Sequence, residues 1–152
     1  MISKNIVTSD FKIKSVRVVM DNNLPVDENY FRNLLGEITD SKIYFTFIKF
    51  SHSKEDILSQ KYCYDRNHIS FFGNFKDKLA KACKNKVDLQ INFFGNDNLY
   101  LKWIAIKGEN KLSFGFRKTD IRINDVIFDF FPHQTDIFKN EFRKYIRVLK
   151  TI

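Results

Sequence analysis

The sequence predicts an α+β fold, with an antiparallel β-meander in the C-terminal half that is packed on one face by about four amphipathic helices. Apolar and polar residues alternate through most of residues 87–131, as they do in strands that bury one face. Turn-forming segments such as Gly95–Asn98 and Gly108–Lys111 separate these runs. No linker or low-complexity stretch divides the chain, so we expect a single two-layer domain over residues 1–152.

Strands and helices are expected to alternate in the first half. Strands are predicted over Phe11–Met20 and Lys42–Phe50, where β-branched and aromatic residues are dense. A helix is predicted after Pro25, because four apolar residues recur there at helical spacing. They are Phe31, Leu34, Leu35 and Ile38. A short helix is predicted to begin at Ser53, which lies three residues before Asp56 in a pattern resembling a capping box.

A third helix is predicted to begin near Asn74, with Cys83 on its apolar face. The meander then follows as five strands. They are Val87–Phe94, Leu99–Lys107, Leu112–Lys118, Thr119–Asn124 and Val126–Phe131. A final helix is predicted from about Asp136, with its apolar residues on one face. Those residues are Phe138, Phe142, Tyr145, Ile146 and Leu149.

The tetrapeptide Phe-Phe-Gly-Asn occurs twice, at Phe71–Asn74 and Phe93–Asn96. We interpret both copies as one way of ending a strand, the first copy ending a predicted strand at His68–Phe72 and the second ending Val87–Phe94. A helix is expected after the first copy and a hairpin turn after the second, so no duplication of a larger unit is implied. The second phenylalanine of each copy, Phe72 and Phe94, is predicted to point away from the core.

The charge distribution favours an acidic partner. Residues 1–75 carry ten basic and nine acidic side chains, whereas residues 76–152 carry sixteen and nine. Such asymmetry is typical of proteins that contact nucleic acid, an acidic protein surface or an anionic membrane. The basic residues are 19 Lys and 7 Arg. Because bidentate base readout favours arginine, this balance argues against sequence-specific DNA recognition.

Two surfaces are predicted to bind this partner. The polar face of the meander should present aromatic and basic residues together, as single-stranded nucleic-acid platforms do. The binding residues predicted there are Phe94, Tyr100, Lys102, Arg117 and Arg122, beside Gln90, Asn92, Lys111 and Ser113. The C-terminal helix carries a basic stripe next to its apolar face. That stripe comprises Lys139, Arg143, Arg147 and Lys150.

The sequence offers little for catalysis. Its three histidines are widely spaced, and it lacks the common glycine-rich phosphate-binding and zinc-binding motifs, so we expect no cofactor and no metal. The densest group of reactive side chains is Tyr64, Arg66 and His68, which could act as acid, base and phosphate clamp in a metal-independent ribonuclease. The competing interpretation is a polar loop between a helix and a strand.

We therefore expect a non-enzymatic binding protein that docks on an acidic macromolecule through its basic C-terminal half. A protein partner is favoured, as for an inhibitor or immunity-type protein; the alternatives are an RNA- or single-stranded-DNA-binding protein and a small ribonuclease. The sequence shows no secretory signal and no membrane span. Cys63 and Cys83 belong to no disulfide framework, so a cytoplasmic location is expected.

Overall fold

A computed structural model describes residues 12–70, 74–95, 98–117 and 123–151, except for the side chains of residues 77, 150 and 151. Within these residues, six strands form one sheet: β1 (Ser15–Asp21), β2 (Tyr44–Phe50), β3 (Cys63–Tyr64), β4 (Val87–Phe93), β5 (Asn110–Phe116) and β6 (Val126–Phe128). The same described residues include five α-helices: α1 (Glu28–Gly36), α2 (Lys54–Ser59), α3 (Asp77–Lys84), α4 (Leu99–Lys107) and α5 (Thr135–Thr151). A short 3₁₀ helix spans Arg66–His68.

The strands are ordered β3-β2-β1-β4-β5-β6, and every neighbouring pair is parallel. In the middle of the sheet, Val18 lies between Phe47 of β2 and Ile91 of β4. This order is that of doubly wound α/β folds, in which the chain builds the sheet outward from a central strand in both directions. Each pair of parallel strands is joined by a connection that passes over one face of the sheet. In a doubly wound fold these connections use both faces, so helices cover both.

The two faces bury two separate cores. On one face, α1 and α5 pack against β1, β4, β5 and β6, with many phenylalanine rings in edge-to-face contact. One such contact joins Phe93 and Phe116, whose ring centres are 5.0 Å apart. On the other face, α3 and α4 pack against β1, β2 and the end of β4. The protein is therefore a three-layer α/β/α structure.

The predicted antiparallel meander is wrong, and α4 is the main reason. Leu99–Lys107 forms a helix, begun by the Asn98 side chain, which accepts a hydrogen bond from the Leu101 N–H at 3.1 Å. Nearly every residue of this segment is apolar, so strand and helix periods fit it equally well. With a helix between them, β4 and β5 can run parallel, whereas a two-residue hairpin turn requires antiparallel strands.

Asp88 ties the start of β1 to β4 and β5. Its carboxylate accepts hydrogen bonds from the Lys14 and Ser15 N–H groups at 2.8 and 3.1 Å, and it lies 3.1 Å from the Lys111 ammonium. Burial alone would raise the pKa of Asp88, but these hydrogen bonds and the lysine outweigh it, and the pKa is lowered. The charged carboxylate is therefore the stabilising form.

The predicted C-terminal helix is confirmed, beginning at Thr135. Its buried residues are Phe138, Phe142, Ile146 and Leu149, and Tyr145 is partly buried against the same core. Tyr30 of α1 fastens the start of α5, since its hydroxyl donates a hydrogen bond to the Thr135 carbonyl at 2.7 Å.

Candidate functional site

The polar residues predicted on an open sheet face lie instead under α3 and α4. Gln90, Asn92 and Ser113 are all at most 1% exposed. Their side chains alternate with apolar ones because they face a second, partly polar core, not because they face water. The prediction of a solvent-exposed binding face on the sheet is therefore wrong.

Arg17 of β1 is the centre of this buried polar layer and is fully buried. Its Nε donates to the Ala82 carbonyl at 2.9 Å, and its Nη2 donates to the Asn85 carbonyl. Both acceptors belong to the C-terminal end of α3, where the helix dipole favours a cation. Its Nη1 donates to Glu109 O at 3.1 Å and Gln90 Oε1 at 2.9 Å. Burial lowers the pKa of Arg17, yet a guanidinium remains charged at neutral pH.

The layer continues across the sheet through side-chain amides. Gln90 donates to Asn92 Oδ1 at 2.9 Å, and Asn92 donates to Asn124 Oδ1 at 2.7 Å. Two glycines leave room for it: a Cβ at Gly108 would overlap Gln90 Oε1, and a Cβ at Gly115 would overlap the Asn124 amide. The layer holds helices and sheet together and is closed to a ligand.

The predicted sheet-face residues are scattered. Phe94 is 1% exposed and packs in the core beneath α3 and α4, so it cannot stack on a base. Tyr100 stacks on Phe50 with ring centres 5.2 Å apart, at the carboxyl end of β2. Lys102 lies on α4, and Arg117 pairs with Asp129 at 3.2 Å at the opposite side of the sheet. Phe72 and Arg122 lie outside the described residues.

The basic stripe of α5 is partly neutralised by α1. Lys139 Nζ lies 3.8 Å from Glu37 Oε1, and Arg143 pairs with the other oxygen of that carboxylate. Arg147 is exposed, and the Lys150 side chain is not among those that the structure describes. The stripe therefore offers a partner less positive charge than the sequence suggests.

The segment that contains Tyr64, Arg66 and His68 has a structural role, because its hydrogen bonds stabilise the short 3₁₀ helix. His68 Nδ1 lies 3.1 Å from both the Asp65 backbone N and Asp65 Oδ1, which closes a capping box around the 3₁₀ helix. Burial raises the pKa of Tyr64, which makes its hydroxyl a weaker acid. Arg66 points to solvent. The ribonuclease hypothesis stays a prediction, without support from this geometry.

The feature that sequence reasoning missed is an exposed apolar row on α4. Leu99, Trp103 and Ile106 are 75%, 40% and 58% exposed, while Leu101, Ile104 and Ala105 are buried on the opposite side. The three exposed residues lie four and then three positions apart, so they form one face of the helix. We call them the α4 stripe. Their spacing after the N-cap Asn98 is the signal that would have located them.

Lys107 contacts the α4 stripe, and further lysines lie on α3 and α4. Helices α3 and α4 together carry five lysines and one acidic residue, Asp77. Lys107 Nζ lies 5.5 Å from the centre of the Trp103 ring, in a cation–π contact. A shallow cleft of about 450 Å³ separates the helices and is lined by Lys81, Lys84 and Lys107 together with Glu109. We call α3, α4 and this cleft the docking face.

The described residues contain no group of three or more potential metal ligands. In the same part of the chain, no helix combines the length and apolar character needed to cross a bilayer. The loop after β1, where doubly wound folds that bind dinucleotides carry glycines, has none between Asp21 and Asp27.

Comparison with known protein families shows that residues 2–149 match a profile described as "Family of unknown function (DUF6913)". No curated protein and no solved structure matches the chain.

Proposed function

The chain belongs to the DUF6913 family, and we propose that it acts without catalysis, by docking on an acidic surface of a partner protein. The observation that carries this proposal is the α4 stripe, an exposed apolar row with Lys107 against the ring of its Trp103. The stripe replaces the sheet face and the α5 helix as the main contact surface.

The apolar part of the docking face favours a protein as its partner. From Leu99 to Ile106 the stripe extends about 10 Å along the helix at 1.5 Å per residue. Contiguous exposed apolar side chains with a polar rim are typical of protein interfaces, and tryptophan is enriched among the residues that dominate binding energy. A phosphate backbone offers aliphatic side chains such as Leu99 and Ile106 little to contact.

The charged part of the face favours an acidic partner. Lysines at the rim would attract it over a distance and speed association, while the apolar residues would set the lifetime of the complex. An inhibitor or immunity-type protein that covers one site on an enzyme or toxin fits this arrangement. The two free, buried thiols support a cytoplasmic location as part of the same proposal.

Site-specific photo-crosslinking tests the proposal. A photoreactive phenylalanine analogue is placed at Ile106 in cells that naturally produce the protein, with the same analogue at exposed Val148 of α5 as the control. We expect a discrete protein adduct at position 106 that is absent at 148. The charge reversals Lys84→Glu and Lys107→Glu together should reduce its yield about tenfold. Equal adducts at both positions, or no adduct, would contradict the proposal.

Nucleic acid is the second candidate, favoured by the Lys107–Trp103 contact, since stacked bases and lysine-bound phosphates use such pairs. A gel shift on mixed single-stranded RNA and DNA at two salt concentrations separates the candidates. Nucleic-acid binding should weaken steeply with salt, because counterions are released on binding. Trp103→Ala should abolish such a shift, and no retarded species at low salt would exclude this candidate.

A further inference from the structure

The outer edge of β2 is largely unpaired among the described residues. Strand β3 is only two residues long and pairs with Lys49 and Phe50, so it leaves Tyr44–Ile48 without a neighbour on that side. The chain reaches β3 through Tyr62, which has a left-handed backbone with a φ of 60°. After this turn, β3 pairs with only the last two residues of β2.

The direction of the backbone groups can be read from the hydrogen bonds at the two ends of β2. The Tyr44 N–H donates to Lys14 O, on the β1 side, at 2.9 Å. The Lys49 N–H donates to Tyr62 O, on the β3 side, also at 2.9 Å. Since successive residues of a strand alternate in direction, the N–H groups of Phe45 and Phe47 point to the open edge.

A groove of about 1090 Å³ runs along this edge, and its two walls differ in character. The wall on the α1 side contains the rings of Phe45 and Phe47, and the Arg32 guanidinium of α1 lies 5.2 Å from the centre of each ring. The wall on the other side contains Lys78 and Lys81 of α3, and Lys61 lies near the end of the groove. No carboxylate is among the described residues that line it.

An edge of this kind is unusual for a protein that remains alone. Natural edge strands are protected by charged residues, prolines or bulges, because unpaired backbone groups recruit other strands. Residues Tyr44–Ile48 contain no charged residue and no proline, and they are strongly β-prone. Lysines line the groove instead, where they can select an incoming strand by charge.

We propose that an extended acidic segment of a partner protein adds to β2 as a further strand. Side chains of an added strand alternate between the two walls, so one row would face Phe45 and Phe47 and the other would face Lys78 and Lys81. The segment that fits alternates apolar and acidic residues. A second copy of this chain would bring its own lysines against these, so charge disfavours self-association through this edge. The groove shares Lys78 and Lys81 of α3 with the docking face, but the inference rests on the unpaired edge of β2, which the docking face does not include.

The test is a fluorescence-anisotropy titration with two labelled octapeptides, one alternating glutamate with valine and the other alternating lysine with valine. We expect saturable binding of the glutamate peptide and at least tenfold weaker binding of the lysine peptide. Methylating the backbone nitrogens of the glutamate peptide at alternate positions should also weaken binding at least tenfold. A merely ionic contact would tolerate that change, and equal binding of the methylated peptide would overturn the proposal.

Two pairs of protein variants locate the site. Phe45→Pro removes an edge N–H that no described residue uses, and Phe45→Val is its control because it loses the ring but keeps the donor. Binding should fall at least tenfold in the first and stay within threefold in the second. Lys81→Glu should likewise weaken binding, whereas Lys54→Glu, outside the groove, should not. Equal binding by all four variants, or no binding by the parent protein, would refute the proposal.

Discussion

Replacing Arg17 with methionine should destabilise the protein by about 4 kcal/mol. The change orphans the carbonyl oxygens of Ala82 and Asn85 and the side-chain oxygen of Gln90, whereas the Glu109 carbonyl keeps its hydrogen bond from the Val87 N–H. An orphaned buried acceptor costs about 1–3 kcal/mol. We assign about 1 kcal/mol to each of the two partly buried carbonyls and about 2 kcal/mol to the fully buried Gln90 oxygen. Methionine retains the aliphatic part of the side chain, so the packing loss is small.

Urea unfolding followed by circular dichroism measures this loss. With a denaturant dependence of about 2 kcal/mol per molar, the midpoint should fall by about 2 M. Because small domains are stable by only about 5–15 kcal/mol, partial unfolding without urea is also an expected result. The control is Lys86→Met, which removes an exposed cation and should change stability by less than about 0.5 kcal/mol. A loss below about 1 kcal/mol in Arg17→Met would refute the reasoning.

Three further predictions concern packing, pH and thiol reactivity. Gly115→Ala should cost about 2–4 kcal/mol because its methyl group overlaps the Asn124 amide. Adding Asn124→Ala removes the overlapping atoms, so a double-mutant cycle should recover at least about 1 kcal/mol; additive losses would argue against the clash. The lowered pKa of Asp88 means that its stabilisation is complete above the unfolded pKa, near 4, and is lost as pH falls through the folded value. Asp88→Asn should therefore lose less stability than the parent between pH 6 and pH 3, and parallel acid curves would contradict this. Burial raises the pKa of Cys83 to about 11, so it should react with a thiol reagent at pH 8 only after unfolding.

Helices α1, α2, α3 and α5 and the first two strands could be predicted because their patterns are local. Phe31, Leu34 and Leu35 recur with the period of a helix and not with that of a strand, and they are buried in α1 as expected. Strand direction is not local. It depended on whether Leu99–Lys107 is a strand or a helix, and an almost wholly apolar segment has no period with which to decide. The single residue Asn98 carried the signal, as an N-cap.

The candidate site was mispredicted for a related reason. Alternation at Gln90 and Asn92 correctly assigned a strand, but a polar row can face either water or a buried polar layer, and the two have the same sequence pattern. Only Arg17 distinguishes a water-facing row from a buried one, because its guanidinium donates a hydrogen bond to Gln90 within the buried layer. Arg17 lies 73 residues away from Gln90 in the chain. The apolar row on α4 was hidden by the strand assignment of the same segment.

The position of Arg17 also constrains the order in which the chain can become stable during its synthesis. Its acceptors at Ala82 and Glu109 lie 65 and 92 residues further along the chain. A nascent chain that has not yet released residue 109 from the ribosome holds an arginine in its central strand with an incomplete set of partners. Such a chain has to keep that strand hydrated, so the sheet cannot close around β1 until most of the protein has been made. The first half is therefore expected to wait for the second, and a truncated product ending before Glu109 should remain a target for proteolysis.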